Sequence, residues 1–378
     1  MALPPLDWVI HTASEDWLVE YCKQMEKDNG VVGASWGSNR VIKLSDDIAV
    51  KYGPGVGPSE AATQELAHRK ADPRIVHVPR VYRFFQREDN NASGVGVEGY
   101  LFMEYVSGQL MDEVDLDVHM DIIPRVAKII EHLGQIQIPN NQVPGPIGDD
   151  QPQGYLWGDD GAKTTFNSVA DMAGWLNKRL ALQDKSIDLT SYPLVLCHTD
   201  LCRRNMILED DGTIGLVDWG FAGLYPRFFE IASLSYLNPY DNPYQKPLIQ
   251  STEELIGISE EEQHLIGLLR VARAYNLRYS FSKGDEYPLP DDLHLLPPPP
   301  IFPLQEEEDE DEDAKGDEEA VSAETTTQST LQTTENSLLD DLDSLLPLPP
   351  SISPTAEVSG RNSVNESVGI VGCLVCTA

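Results

Sequence analysis

Residues Leu194–Gly220 read LVLCHTDLCRRNMILEDDGTIGLVDWG, and the organisation of the whole chain follows from them. The apolar, β-prone run Leu194–Cys197 predicts a strand, and His198–Asn205 a polar loop. Met206–Leu208 predicts a short strand, Glu209–Gly212 a tight turn and Thr213–Val217 a second strand. Asp218-Trp219-Gly220 opens another loop. Asp211-Gly212 suits a hairpin turn that needs positive φ. A hairpin brings its two ends side by side. Asp200 and Asn205, before it, are therefore expected close to Asp218, after it.

Such closeness suits phosphoryl transfer. The charge of a γ-phosphate is neutralised by a metal, and Mg²⁺ takes hard oxygen ligands. Asp218 and the amide oxygen of Asn205 are the candidate Mg²⁺ ligands. Asp200 is placed to accept the proton of an incoming hydroxyl, and His198 to orient the loop by hydrogen bonding. The spacing His198-x-Asp200-x-x-x-x-Asn205 is that of a kinase catalytic loop, with Asp218-Trp219-Gly220 in the place of D-F-G. A lone Asp or Asn in a turn more often caps backbone amides. The ordered set, separated by a hairpin, carries a signal that its members lack singly.

This region resembles the aminoglycoside phosphotransferase and choline kinase group of kinase-like enzymes. It is especially similar to the fungal proteins with that domain, in which the segment after the metal Asp reads close to the DWGFAGLYPRFFEIASL found here. Thr199 and Cys202-Arg203-Arg204 stand where bacterial relatives carry glycine and a His-Pro-Gly type run. The resemblance covers about residues 30–285. It implies an α+β, bilobal, protein-kinase-like fold: a small antiparallel-sheet lobe, a larger mainly helical lobe, and ATP between them. The implied activity moves the ATP γ-phosphate to a hydroxyl of a small molecule. A nucleotide-binding module without turnover and a protein kinase are the alternatives. No A-P-E follows Asp218, which counts against a protein kinase.

The chain has 378 residues and a formal charge of −35. Nucleic acid and anionic membrane surfaces repel such a chain, so neither is an expected partner. Residues 301–378 hold 18 acidic side chains against two basic ones, yet the remainder is acidic too. That suits a cationic acceptor, although acidity that merely maintains solubility has the same composition. Five cysteines without framework spacing fit reduced thiols in a cytoplasmic protein. Cys373 and Cys376 have no second ligand pair and stay unassigned. No basic start with an apolar stretch marks a secretory signal, and no apolar run reaches the ~18 residues of a membrane helix.

Four segments are expected: an N-terminal helical extension (1–30), a small nucleotide-clamping lobe (31–106), a large helical lobe with the catalytic loop (107–295), and an acidic tail (296–378). Ser14 caps a helix over about 14–28, with Trp17, Leu18, Tyr21 and Met25 on one face. Two strands follow, and Gly33, Gly37 and Ser38 form a loop suited to lie over phosphates. Lys51 emerges from the apolar Ile48-Ala49-Val50 and is the candidate phosphate-gripping lysine. Its helical partner is Glu60 or Glu65, on a helix that Ser59 can cap. In similar fungal sequences a Glu-Ala pair opens this helix, which selects Glu60. The resemblance also implies that the Glu104 carbonyl and Val106 amide bond adenine, with Met103 packed behind.

Val126, Ile129, Ile130, Leu133 and Ile136 mark a buried helix begun near Pro124. Ser168 caps the next helix, with Asp171 three residues on. Trp157 and Trp175 are candidates for the acceptor pocket or for core. Arg203 and Arg204 are loop cations able to steady phosphate or to face solvent. Past Gly220 the chain reads as loop until a helix begins near Phe228; Arg227 and Glu230 could pair or bracket substrate, and a surface role is the safer expectation. A helix covers 252–283. Glu306–Asp313 are eight consecutive acids, followed by Thr- and Ser-rich sequence too polar to offset ordering entropy. Leu338–Leu346, LLDDLDSLL, could fold as an amphipathic helix on a protein partner, although an incidental run within a solvated tail is the simpler reading.

Overall fold

Ile48–Gly53 is an apolar run in which every residue, Lys51 included, is buried, so it can only be an interior strand. The computed structural model describes residues 5–278 apart from 33–38, 90–95, 140–141, 149, 159–160 and 238–240. The glycine loop and the tail lie outside the described residues. Helices α1 (Leu6–Thr12) and α2 (Glu15–Asn29) open the chain. They are followed by β1 (Arg40–Lys43), β2 (Ile48–Gly53) and α3 (Pro58–Lys70), then β3 (Val81–Asp89) and β4 (Gly96–Glu104). The four strands form one antiparallel sheet in the order β1-β2-β4-β3. Gly99 on β4 is required by a close approach, because a Cβ there would lie 1.9 Å from the Val56 carbonyl oxygen.

Helices α1 and α2 pack into the core of the four-stranded sheet. Ile10, Leu18 and Cys22 pack with Ile42, Val50, Phe85 and Phe102. Arg83 donates to the Ile10 and Ala13 carbonyls, tying the end of α1 to β3. Ser14 caps α2 by accepting from the Trp17 amide at 3.3 Å. Trp17 itself is 47% exposed and stacks on Tyr21, so the buried stripe runs instead through Leu18 and Cys22. Ser59 does not cap α3 either. Gly57 is the N-cap, Pro58 opens the helix, and Ser59 Oγ donates to Asp150 at 2.8 Å.

The larger lobe starts with β5 (Gln109–Leu110) and α4 (Ile122–Gln135). Val126, Ile129, Ile130 and Leu133 of α4 are all buried. Each contributes about 1.5–3 kcal/mol by leaving water. Helix α5 (Val169–Leu180) has Ser168 as its N-cap, accepting from the Asp171 amide, while the Asp171 carboxylate accepts from the Asn167 amide. Strands β6 (Leu194–Cys197), β7 (Met206–Leu208), β8 (Ile214–Leu216) and β9 (Gly223–Pro226) frame the segment from His198 to Asp218. β5, β7 and β8 form one small sheet, and β6 pairs with β9 in another.

Helices α6 (Phe228–Leu234), α7 (Asn242–Ile256) and α8 (Glu260–Arg278) complete the described chain. Three expectations need correction here. Gly223–Pro226 is a strand rather than loop, because its backbone groups pair with β6. The helix expected over 252–283 is split at Gly257, which adopts φ +64° and ends α7. In the hairpin turn only Gly212 has positive φ, at +87°. Glu209 donates to the Thr213 carbonyl and Asp211 accepts from the Thr213 amide, a wider turn than Asp-Gly alone suggests. Among the described residues no helix is long and apolar enough to cross a membrane.

Candidate active site

Lys51 Nζ, on β2, donates to Glu60 Oε1 of α3 at 2.6 Å and to Asp218 Oδ1 at 2.8 Å. Glu60 is 3% exposed, and Glu65 is left on the surface near Arg69. Burial opposes the Lys51 charge, but the two carboxylates outweigh it and raise its pKa. Partial desolvation likewise opposes ionisation of Asp218, and the Lys51 ammonium overrides it, holding that carboxyl below its usual value. Burial raises the Glu60 pKa. Asp218 sits at φ +63°, a left-handed conformation that costs energy in a non-glycine residue. The conformation keeps its side chain 45% open.

The hairpin does what its sequence requires. Met206 pairs with Leu216, Ile207 with Gly215 and Leu208 with Ile214. The Val217 amide donates to the Asn205 carbonyl at 3.0 Å, so Asn205 and the residue preceding Asp218 are bonded across the ladder. Asn205 Nδ2 donates to Asp200 Oδ2 at 2.8 Å and to the Asp200 carbonyl at 3.0 Å. Its amide nitrogen is thus committed, and its oxygen is left for a cation. Asp200 is 5% exposed, and its Oδ1 is buried without a hydrogen-bond partner among the described residues. Burial raises its pKa, which suits a proton acceptor.

His198 is fully buried. Its Nδ1 accepts from the Asp200 amide at 3.3 Å, and Nε2 faces the Val217 carbonyl at 3.1 Å. Burial lowers its pKa to about 4, so the ring stays neutral and ties the 198–205 loop to the residue before Asp218. Met103, Glu104 and Val106, expected to meet adenine, lie at or just past the end of β4, the position of a kinase hinge; Met103 is buried and its sulfur meets Gln64 Nε2. The Glu104 carboxylate accepts from the Arg80 amide. The Val106 amide has no hydrogen-bond partner among the described residues.

Glu230 was expected at the surface. It is 3% exposed and accepts from the His198 amide at 2.6 Å and the Thr199 amide at 2.9 Å. Those bonds hold Thr199 at φ +59°. Burial pushes the Glu230 carboxyl up to about 7 against the pull of both amides. The sequence signal was an acid inside an apolar run, Phe228-Phe229-Glu230-Ile231-Ala232. Glu230→Ala leaves two buried amides unpaired and is expected to cost about 2–4 kcal/mol. Glu230→Gln, which keeps an acceptor oxygen, loses less. Urea melts and kcat of the two variants measure the difference.

Arg227 is bonded to Glu262 at 2.8 Å and to the Ile256 and Gly257 carbonyls, a structural anchor for the α7–α8 turn. Trp157 is 2% exposed among Phe166, Trp175, Tyr225 and Phe229, and Trp175 donates to the Ala162 carbonyl. Both tryptophans are core. Tyr155, which no sequence pattern singled out, lies nearer the chemistry: its hydroxyl accepts from Arg204 at 3.0 Å.

His77 joins hinge to hairpin. Its Nε2 lies 3.3 Å from Glu104 and its Nδ1 2.7 Å from Glu209. Hydrogen bonding to Glu104 raises its pKa to about 9, with burial opposing and Glu209 adding. A raised folded-state value means the stabilisation is complete below the ordinary pKa of 6.5 and is lost as pH rises through about 9. Denaturant midpoints are expected to fall across that window by on the order of 1 kcal/mol, and His77→Gln to flatten the fall.

The family model of the phosphotransferase enzyme family matches residues 38–264. The chain belongs to that family. No curated protein matches the sequence. Among solved structures, the aminoglycoside phosphotransferase APH(4)-Ia is similar at 15% identity over 68% of this chain and 88% of that one, with a TM-score of 0.41. Spectinomycin phosphotransferase APH(9)-Ia, in complex with ADP and spectinomycin, is similar at 13% identity over 65% and 79%, with a TM-score of 0.41. This phosphotransferase family member has the expected α+β, bilobal, kinase-like fold, with Lys51 and Glu60 from the small lobe meeting Asp218 from the large one.

Proposed function

We propose that the protein transfers the γ-phosphate of ATP to a hydroxyl of a small molecule with Mg²⁺ as cofactor. The carrying observation is the join between lobes: one buried lysine bonds both Glu60 and Asp218, beside an Asn205 whose amide nitrogen is turned to Asp200. Asn205 Oδ1 and the open side of Asp218 are the hard oxygen donors that would hold Mg²⁺. Among the described residues no three His, Cys, Asp or Glu side chains form a metal cage. Two protein donors suffice where phosphates complete the coordination, which fits Mg²⁺ in phosphoryl-transfer sites. Bound there, the metal would neutralise charge on the phosphates.

The chain's own groups do the rest. Lys51 is the group that grips phosphate, and Glu60 fixes the ammonium. The Val106 amide and Glu104 carbonyl receive adenine against Met103. Asp200 Oδ1 takes the acceptor proton as the acceptor oxygen bonds to the γ-phosphorus and ADP leaves. His198 and Glu230 hold the loop that aims Asp200. Positioning and charge neutralisation supply most of such catalysis.

The test combines binding and transfer. ATP with Mg²⁺ is expected to raise Tm, and γ-labelled ATP to label a compound in a total metabolite extract. Unchanged Tm together with no labelled product would refute the reading.

A further inference from the structure

Arg203 and Arg204 are adjacent and look equivalent in sequence, but the fold uses them differently. Arg203 is neutralised: its Nε and Nη2 pair with the two oxygens of Asp241 at 2.8 and 2.9 Å, and Nη1 reaches the Met111 and Val114 carbonyls. Arg204 meets protein through Nη2 alone, at Tyr155 Oη (3.0 Å) and Asp200 Oδ2 (3.4 Å). Among the described residues its Nε and Nη1 have no acceptor, and its side chain is 42% exposed. A guanidinium has five donors in a planar fork that matches carboxylate or phosphate oxygens. One edge of this fork is used, and the other is open.

The place of that open edge decides what it serves. Arg204 is tied to Asp200, whose second oxygen is buried and has no hydrogen-bond partner among the described residues. Its other contact, Tyr155, belongs to the large lobe and sets its ring edge-on to Phe221 with centroids 5.8 Å apart. Arg273 Nε donates to the Tyr155 carbonyl at 2.8 Å, placing a second guanidinium behind the same wall. Phosphate already has a cation of its own in the proposed site, Lys51, bonded to Glu60 and Asp218. The acidic composition suggested a cationic acceptor, whereas the side chain beside the proposed base is a guanidinium.

Building on the proposed phosphotransfer, we infer that the acceptor is an anionic hydroxyl compound. Its hydroxyl meets Asp200 Oδ1, and its carboxylate or phosphate group lies on the open Nε/Nη1 edge of Arg204. Tyr155 and Phe221 flank its carbon skeleton. Arg204 is a specificity residue for the anion, and Arg203 is not.

The experiment splits a metabolite extract on ion exchangers into cationic, neutral and anionic fractions. Each is incubated with the full chain, Mg²⁺ and γ-labelled ATP. Label is expected from the anionic fraction. Pretreating that fraction with phosphatase separates the two anions, since a phosphate-bearing acceptor is lost and a carboxylate survives. For the compound found, Arg204→Gln is expected to raise the acceptor KM about tenfold to a hundredfold, the loss of a charged hydrogen bond, with the ATP KM unchanged. Arg204→Lys recovers part of it. Label from the cationic or neutral fraction overturns this inference and leaves phosphotransfer standing. A fall in kcat with the acceptor KM unmoved also overturns it, because Arg204 would then act on Asp200 alone. No label from any fraction, with no ATP-dependent rise in Tm, removes the phosphotransfer reading and this inference with it.

Discussion

Asp200→Ala is expected to lower kcat by about 10²–10⁴-fold, the range for loss of a positioned general base. ATP with Mg²⁺ should still raise the Tm of the variant, because Lys51 keeps its bonds to Glu60 and Asp218, and of the groups assigned to nucleotide and metal Asp200 bonds only Asn205, through the nitrogen and not the oxygen of its amide. The physical basis is the buried, unpartnered Oδ1, the atom left to accept a proton once Asn205 and Arg204 have engaged Oδ2. Alanine also removes an acceptor from Asn205, so a companion Asp200→Asn variant controls for packing: it keeps the shape and loses the base. Both variants should fail alike in turnover. Full activity in either would remove Asp200 from its role.

Lys51→Met is expected to have the second large effect, and a different one. Its side chain is 9% exposed and is bonded to two carboxylates. Removing it leaves Glu60, at 3% exposed, with no cation, and breaking one side of a buried ion pair costs about 3–5 kcal/mol. The same change removes the ammonium proposed to grip phosphate. Loss of a preorganised charge partner of this kind lowers kcat by about 10²–10³-fold. Urea melts and ATP titrations on one preparation would distinguish the two losses. A variant as stable as the parent, with unchanged ATP affinity, would show that the Lys51–Glu60–Asp218 contact is neither structural nor functional.

The catalytic segment was legible because its information is local. Alternation of apolar strands with polar loops placed the hairpin, and the hairpin obliged Asn205 to lie beside Asp218. Lys51 was legible as a charge ending an apolar strand, and its register with Leu101 buries it at the centre of the sheet. The choice of Glu60 over Glu65 needed the resemblance. In space, the helix presents Glu60 to β2 and Glu65 to Arg69.

What stayed hidden depends on contacts between distant parts of the chain. Glu230 reads as a surface acid until α6 is seen to point it at the His198 and Thr199 amides, where a buried carboxyl is tolerated because both its oxygens accept. Gly223–Pro226 is too short to announce a strand, and becomes one only because β6 supplies partners. Arg203 and Arg204 differ by nothing in the sequence. The sequence by itself determined the hairpin and the order of Asp200, Asn205 and Asp218 around it, since hydrophobic period and loop spacing act over a few residues, and its family resemblance implied the fold class. Only the tertiary structure decided which arginine keeps its charge open and which acid holds the catalytic loop, because charge pairing and burial depend on residues that meet across the fold.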